Sequence, residues 1–268
     1  MIQRGKISNG VKAIVLRAAG INCDMETEYA LELAGAAAER VHINRMIEDK
    51  KLLDKFQILV FPGGFSYGDD VAAGKILANQ VIHHLSEAVQ KFIDDGKLVL
   101  GICNGFQVLV KAGILPGHGS TKQQGDVTIT YNDSGKFEDR WVYLAPQTEK
   151  CIFIEPARQI YLPVAHAEGK VVTKDETTLE GLKLQGHVAF KYVDEDGKEG
   201  GYPVNPNGSA DSIASLTDTT GRVLGLMPHP ERHVRPTQHP HWTRLKGKAE
   251  ADGMTIFNNA VRYIREHF

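Results

Sequence analysis

The sequence is poor in cysteine and in long apolar runs, and each shortage excludes a class of protein. Its three cysteines, Cys23, Cys103 and Cys151, are too few for a disulfide scaffold and form no Cys-x-x-Cys pair of the kind that binds zinc. No stretch approaches the ~18 apolar residues that a membrane helix needs. The first residues, M-I-Q-R-G-K, lack the apolar core of a signal peptide. We therefore expect a reducing, cytoplasmic location.

Charge of one sign and phosphate-binding motifs are also missing. A formal net charge of -2 over 268 residues gives no global field that would favour nucleic acid or an anionic membrane as partner. There is no Gly-Lys-Ser/Thr and no G-x-G-x-x-G for phosphate binding. Without an internal repeat or a low-complexity linker, residues 1–268 are expected to form a single domain, with a surface extension at about 233–253.

The first half of the sequence alternates short apolar runs with segments of helical periodicity. We predict strands at 12–17, 41–43, 57–61 and 97–102, and helices at 25–40, 74–94 and 104–113. This order is typical of an α/β protein with an open, doubly wound, mostly parallel sheet and flanking helices.

The second half favours a β-rich elaboration of that sheet. Strand patterns occur at 126–131, 140–144, 151–154, 160–165, 170–173, 188–193 and 223–227. A short helix is expected at 178–185, and a closing helix at 254–267.

The residues around Cys103 have the pattern of a nucleophile elbow. Cys103 lies where a predicted strand passes directly into a predicted helix, between Gly101 and Gly105. Glycine tolerates the crowding of such a sharp turn, and the amides at the helix N-terminus favour a thiolate. A buried structural cysteine is the alternative, but the two glycines favour a nucleophile.

A cysteine nucleophile needs a base, and His229 is the best-placed histidine. It follows the strand predicted at 223–227, and Glu231 lies two residues further on. Pro228 and Pro230 favour an extended backbone, in which residues two apart project to the same side. Glu231 would then orient the imidazole. The alternative, a proline-stiffened turn with solvated side chains, is weaker beside an elbow cysteine.

Acyl transfer also requires an oxyanion hole. The backbone amide of Asn104, directly after the nucleophile, is one expected donor. The other is expected from Gly63, Gly64 and Phe65, because glycines after a neighbouring strand let the backbone approach a substrate closely. A plain turn is the alternative interpretation of these glycines.

Residues 233–253 are polar and basic with little periodicity, and we predict a surface loop. Their histidines raise the question of a metal site. The His-x-x-x-His spacing from His229 to His233 is interrupted by Pro230, so it would not be helical. We expect no metal site.

Several motifs together carry a family resemblance. P-G-G-F-S-Y-G-D-D, G-I-C-N-G-F-Q and M-P-H-P-E-R resemble the motifs of class I (triad) glutamine amidotransferases. F-S-Y-G-D, F-E-D-R-W and A-H-A-E-G narrow the resemblance to the glutaminase subunits of phosphoribosylformylglycinamidine synthases, from about residue 12 to residue 231. The resemblance implies that Cys103 is the nucleophile, His229 its general acid/base and Glu231 the orienting carboxylate. It also implies oxyanion positions at Gly64 and Asn104 and a glutamine contact at Gln107.

The same resemblance implies a reaction and partners. Glutamine would be hydrolysed to glutamate and ammonia through a Cys thioester. A synthetase subunit, joined by a small bridging subunit, would use the ammonia with ATP in purine biosynthesis. No cofactor is expected in this chain, since ATP and magnesium would belong to the synthetase. The segments 65–73 and 205–209 are expected to be exposed for docking. A stand-alone cysteine hydrolase of γ-glutamyl substrates and a non-catalytic regulatory subunit are the alternatives.

Overall fold

A computed structural model describes residues 10–117, 125–245 and 251–268. The strands are β1 (Lys12–Arg17), β2 (Ala37–His42), β3 (Ile58–Phe61), β4 (Leu98–Ile102), β5 (Val127–Tyr131), β6 (Glu138–Pro146), β7 (Ile160–His166), β8 (Glu168–Thr173), β9 (Val188–Val193), β10 (Ile213–Thr217) and β11 (Val223–Leu226). The helices are α1 (Asp24–Ala34), α2 (Ile43–Glu48), α3 (Lys75–Gln80), α4 (Ser86–Asp94), α5 (Asn104–Lys111), α6 (Glu176–Leu184) and α7 (Gly253–His267). A π-helical turn, Val81–Leu85, joins α3 to α4.

Nine strands form one central sheet in the order β2-β1-β3-β4-β11-β10-β9-β6-β7. The strands from β2 to β11 in that order pair in parallel. The strands from β11 to β7 pair antiparallel, and β5 pairs with β8 in a separate two-stranded sheet. The predicted class is confirmed: a parallel α/β sheet with flanking helices and a β-rich elaboration in the second half.

The central strands β3, β4 and β11 are buried along their whole length. Continuous apolar runs are expected where both faces of a parallel sheet are covered, and α5 packs across all three strands. Because the three strands are parallel neighbours, their carboxyl ends meet at one edge of the sheet. Residues 62–64, Cys103 and His229 follow these ends, so they converge there.

The predicted helix at 25–40 is wrong in its last third. α1 ends at Ala34, because Gly35 adopts the left-handed conformation with φ 94° and its amide bonds back to the carbonyl of Glu32. The alanines that follow enter β2, which was expected only over 41–43, and pair with β1. Strand pairing overrides the helix propensity of these alanines.

The predicted strand at 151–154 is also wrong. These residues form a buried turn, in which the Ile154 amide donates to the Cys151 carbonyl over 3.3 Å and the Ile152 amide donates to Gly221 over 3.0 Å. The apolar run marks burial rather than an extended strand.

Strand β10 was not predicted, because its pattern contains polar residues. Ser215 and Thr217 are fully buried, yet both are hydrogen bonded to the backbone. Ser215 Oγ accepts from the amide of Phe190 over 2.8 Å, and Thr217 Oγ1 donates to the carbonyl of Val223 over 2.8 Å. Satisfied hydroxyls make an interior strand look polar in sequence.

The two segments predicted to dock a partner differ in exposure. Asn207 and Ser209 are 0% and 4% exposed, so the prediction that the turn at 205–209 is exposed is wrong. Asn207 Nδ2 donates to the carbonyl of Gly169 over 2.9 Å and fastens the turn to β8. In the 65–73 loop, Phe65 and Val71 are exposed.

The surface extension at 233–253 is only partly described, since residues 246–250 lie outside the described residues. Between 235 and 245 the side chains are mostly exposed, as predicted. The ring of His239 nevertheless packs on Tyr161, with centroids 5.3 Å apart, which fastens the segment to β7. Within the described ranges, no helix is both long enough and apolar enough to cross a bilayer.

Candidate active site

Cys103 occupies a strained turn between β4 and α5. Its φ of 50° and ψ of -105° are unusual for a residue other than glycine, as expected for a nucleophile elbow. A Cβ added to Gly105 would lie 1.8 Å from the carbonyl oxygen of Phe61. Glycine is therefore required for the first turn of α5 to approach β3. The Asn104 amide, in that first turn, has no acceptor within the helix.

His229 and Glu231 form a short hydrogen bond beside this turn. His229 Nδ1 donates to Glu231 Oε1 over 2.6 Å, and both side chains are buried. His229 is extended, as predicted, but Glu231 lies in a 3-10 turn over Pro230–Arg232 rather than in an extended segment. The other ring nitrogen, Nε2, makes no hydrogen bond within the described residues. It is the nitrogen left for the sulfur of Cys103, which lines the same pocket.

The pKa values of two buried histidines near the sulfur are shifted in opposite directions. Burial alone would lower the pKa of His229, but the Glu231 carboxylate, followed by Cys103 and Cys23, raises that pKa well above its ordinary value. Burial and the neighbouring His229 lower the pKa of His166 to about 3. His229 therefore holds a proton that it can give to a leaving group, and His166 stays neutral.

The loop after β3 lies against the loop between β1 and α1. Gly64 has φ 136°, and a Cβ there would lie 2.7 Å from the Asn22 amide nitrogen, so only glycine fits. The Phe65 amide donates to the carbonyl of Gly20 over 2.9 Å and is not available to an oxyanion. Gly63 packs against the ring of His229, because a Cβ added to Gly63 would lie only 2.8 Å from His229 Cε1. Gly64 thus remains the predicted donor from this loop.

Comparison with known proteins identifies the family. Residues 10–264 match the CobB/CobQ-like glutamine amidotransferase domain. The chain belongs to this glutamine amidotransferase family. It is 48% identical over 258 residues to phosphoribosylformylglycinamidine synthase subunit PurQ of Dehalococcoides mccartyi, which covers 96% of this chain and 98% of that protein. The identity to the PurQ subunit of Archaeoglobus fulgidus is 42% over 272 residues, covering 96% and 98% of the two chains.

The fold of this amidotransferase is also found in a solved assembly. A chain in the structure of PurLQS from Thermotoga maritima superposes with a TM-score of 0.71 and 30% sequence identity. The match covers 95% of this chain and 99% of that one.

The side chains of Asn104 and Gln107 bind protein groups. Asn104 Nδ2 donates to Asp69 Oδ1 and to Gln107 Oε1, over 3.1 Å in each case. Gln107 Nε2 donates to the carbonyl of Glu168. These bonds brace α5 against the F-S-Y-G-D loop and β8. The glutamine contact that the resemblance implies for Gln107 would require its amide to exchange partners.

Five residues of the pocket were missed in the sequence: Asn22, Cys23, Phe137, Ala165 and Arg232. Cys23 was assigned only to a loop, although it is 1% exposed. Phe137 opens the F-E-D-R-W motif, and Arg232 ends M-P-H-P-E-R, so both stood within motifs quoted for the resemblance. The motifs gave their positions, but only the fold shows what they contact.

Cys23, His229 and Glu231 offer a sulfur, a nitrogen and an oxygen within 4.8 Å of one another. These donor types suit zinc. The Glu231 oxygen, however, already accepts from His229 Nδ1. The Arg232 guanidinium lies 3.2 Å from the Cys23 sulfur, where its charge opposes a second cation. The cluster therefore suits proton transfer better than metal binding.

Proposed function

We propose that this chain is the glutaminase subunit of phosphoribosylformylglycinamidine synthase. It hydrolyses glutamine to glutamate and ammonia, and a synthetase subunit uses the ammonia with ATP to make formylglycinamidine ribonucleotide from formylglycinamide ribonucleotide. The observation that carries the proposal is the elbow sulfur of Cys103 opening on the same pocket as the Glu231-bound imidazole of His229. The PurQ relatives match over almost their whole length.

Acylation of Cys103 is the first chemical step. The thiolate attacks the side-chain carbonyl carbon of glutamine, and the carbonyl π electrons move to oxygen. Backbone amides at Gly64 and Asn104 stabilise that oxyanion. His229 donates its Nε2 proton to the amide nitrogen, the C–N bond breaks, and ammonia leaves. Glu231 holds Nδ1 throughout, which keeps Nε2 directed at the reacting atoms.

Deacylation regenerates the enzyme. His229, now neutral, takes a proton from water, and the hydroxide adds to the γ-glutamyl thioester. Collapse of the tetrahedral intermediate breaks the C–S bond and releases glutamate. Cys103 returns as a thiolate beside the reprotonated imidazole, so protons and charge balance over the cycle.

The ammonia must reach a second active site without escaping to water. The solved PurLQS assembly supports partners for this chain of the same kind: a synthetase subunit and a small bridging subunit. The aromatic ring of Phe65 and the side chain of Val71 are exposed on the loop beside the pocket, which supports docking there. ATP and magnesium are assigned to the synthetase subunit, and the assembly to the cytoplasm.

The stand-alone hydrolase is disfavoured by the comparisons. A chain 48% identical to a PurQ subunit over 98% of that protein's length is not expected to work alone. The regulatory, non-catalytic alternative is disfavoured by the buried His229–Glu231 hydrogen bond of 2.6 Å beside an elbow cysteine.

The decisive experiment compares nitrogen donors in the reconstituted complex. Wild-type chain, Cys103→Ala and Cys151→Ala are each assembled with the synthetase and the small subunit, and turnover is measured with glutamine and with ammonium. Cys103→Ala should lose glutamine-dependent turnover by at least about 1,000-fold while keeping ammonium-dependent turnover.

Cys151→Ala is the matched control, because Cys151 is equally buried but lies in a turn away from the pocket. It should use both donors normally. Near-normal use of glutamine by Cys103→Ala would refute the proposed function.

A further inference from the structure

Cys23 is a second thiol in the pocket of Cys103. It ends the loop between β1 and α1 and is 1% exposed. It lines the same cavity as Cys103 and His229. The mechanism above assigns it no role, although a buried sulfur beside a catalytic imidazole is a polarizable group in the place where charge develops.

The loop between β1 and α1, which ends at Cys23, is hydrogen bonded to residues 63–67 after β3, here called the oxyanion loop. The Cys23 amide donates to the carbonyl of Gly63 over 3.3 Å, and the Phe65 amide donates to Gly20 over 2.9 Å. The Tyr67 amide donates to Ala19 over 2.7 Å. These three bonds pair the two loops like short strands, so a shift of Cys23 shifts the predicted oxyanion donor.

The side chain of Cys23 contacts the histidine half of the site. Arg232 donates through a terminal guanidinium nitrogen to the Cys23 sulfur over 3.2 Å, and the thiol donates to Asn22 Oδ1 over 3.3 Å. Arg232 Nε also donates to Glu26 Oε1 over 3.1 Å. Since Arg232 directly follows Glu231, these bonds connect the turn that carries the catalytic pair to the start of α1.

Gly63 lies against both the Cys23 sulfur and the His229 imidazole, which leave no room for a side chain at this position. A Cβ at this position would lie 2.8 Å from His229 Cε1 and 3.1 Å from Cys23 Sγ. The ring is thus confined between the oxyanion loop and the second thiol, with little room to rotate. A confined ring is the condition under which Nε2 stays aligned with the reacting atoms.

Among the described residues, ionisable groups from several elements surround His229. Glu231 and Arg232 lie on its own turn, His166 on β7, Cys103 at the start of α5, and Cys23 before α1. Burial raises the pKa of the Cys23 thiol, despite the opposing effect of His229. Cys23 therefore stays a neutral thiol that donates to Asn22 Oδ1 and accepts from Arg232.

We propose that Cys23 is a positioning residue that fixes His229 relative to the oxyanion loop. This role rests on the proposed function. It is most needed in deacylation, when the neutral imidazole of His229 must stay aligned with the attacking water.

The test uses three substitutions in the reconstituted complex: Cys23→Ala, Cys23→Val and Cys23→Ser. The alanine and valine variants lose the acceptor of the Arg232 hydrogen bond and should lower kcat roughly 10- to 100-fold, with KM for glutamine changed less than about twofold. Without the sulfur, the pKa of His229 falls, so the alkaline limb of the kcat profile should move to lower pH. Cys23→Ser retains an acceptor and should keep the limb near that of wild type.

The valine variant fills the space, so it carries the test even where the alanine variant does not fold. Cys151→Ala is the control for loss of a buried thiol, and it should lower thermal stability without moving the pH profile. Alanine and valine variants with the wild-type kcat and alkaline limb would overturn the role of Cys23 whatever their stability. That result would not affect the proposed function. The proposed function fails only if Cys103→Ala still uses glutamine.

Discussion

The two halves of the proposed active site are built in different ways. The nucleophile half is contiguous in sequence: β4, the turn at Cys103 and α5, closed by glycines that permit close packing. The histidine half is assembled from remote segments, namely the turn after β11, the loop before α1 and the end of β7. Local backbone strain fixes the sulfur, whereas packing between distant segments fixes the proton donor. Substitutions in the two halves should therefore fail differently.

The largest effect is expected from Glu231→Gln in the histidine half. The amide cannot stabilise the imidazolium, so kcat should fall by about 1,000- to 10,000-fold, as for the orienting acid of other triads. Burial, which lowers the pKa of His229, is then opposed less, so the alkaline limb should move to lower pH. Steady-state kinetics across pH measures both changes.

Glu26→Gln is the matched control for this substitution, because Glu26 is a half-exposed carboxylate that pairs with Arg232. It should change kcat by no more than a few-fold. An equal loss in both variants would mean that the Glu231 hydrogen bond to His229 is not special.

The second largest effect is expected from Gly64→Ala. The added Cβ would meet the Asn22 backbone at 2.7 Å in a conformation with φ 136°, so the loop must shift and displace the predicted oxyanion donor. We expect kcat to fall about 100-fold or more and the free energy of unfolding to fall by about 1–3 kcal/mol.

Gly135→Ala controls for the conformational cost alone, since Gly135 also has positive φ, 63°, but an added Cβ would meet nothing within 4 Å. It should lose stability and keep full activity. Gly64→Ala with an unchanged kcat would show that this loop supplies no donor.

A mainly structural effect is expected from Asn104→Ala in the nucleophile half. Asn104 Nδ2 loses its bonds to Asp69 and Gln107, and the Ser66 amide loses its acceptor. The free energy of unfolding should fall by about 1–3 kcal/mol, with kcat down by about tenfold. Denaturant unfolding and kinetics on the same samples separate the two losses.

Asn259→Ala is a fitting comparison, because Asn259 is equally buried and donates to Phe153 over 3.1 Å far from the sulfur. It should lower stability alone. If the two variants lost activity equally, the Asn104 network would have no specific role at the elbow.

The smallest effect is expected at the rim. The cavity over Cys103 is about 60 Å³, well below the roughly 300–1,000 Å³ of typical ligand pockets, and the half-exposed Phe137 borders it. Phe137→Ala should speed labelling of Cys103 by a glutamine-sized electrophile about threefold, an order-of-magnitude expectation from removing one bordering ring.

Labelling by the much smaller iodoacetamide should hardly change, since that reagent does not need a wider entrance. Tyr131→Ala, which removes an exposed aromatic ring outside the pocket lining, is the control. If each reagent labelled wild type, Phe137→Ala and Tyr131→Ala at the same rate, the rim would not limit entry.

The same division explains what the sequence could predict. The strand, the glycines and the helix around Cys103 are local patterns, and so is the spacing of His229 and Glu231. Cys23 carries no local pattern, because its proximity to His229 depends on how α1 and the turn after β11 meet. The predicted extended segment through Glu231 failed for a related reason: the prolines fix His229 as extended, but Pro230 begins a 3-10 turn.

The errors in the predicted fold have the same physical origin. Periodicity reports burial and local propensity, so it extended a helix through the alanines after Gly35 and placed a strand at 151–154, where the chain makes a buried turn. It passed over β10, whose buried hydroxyls are satisfied by neighbouring strands. Each of these outcomes depends on partners that are remote in sequence.

The central claim is that, of two thiols in one pocket, Cys103 forms the covalent bond and Cys23 supports the histidine. The most direct measurement is peptide mass spectrometry of the complex after reaction with a glutamine-mimicking electrophile. The predicted result is one adduct, on the peptide that contains Cys103, in wild type and in Cys23→Ser. An adduct on Cys23, or full inactivation without modification of Cys103, would contradict the account.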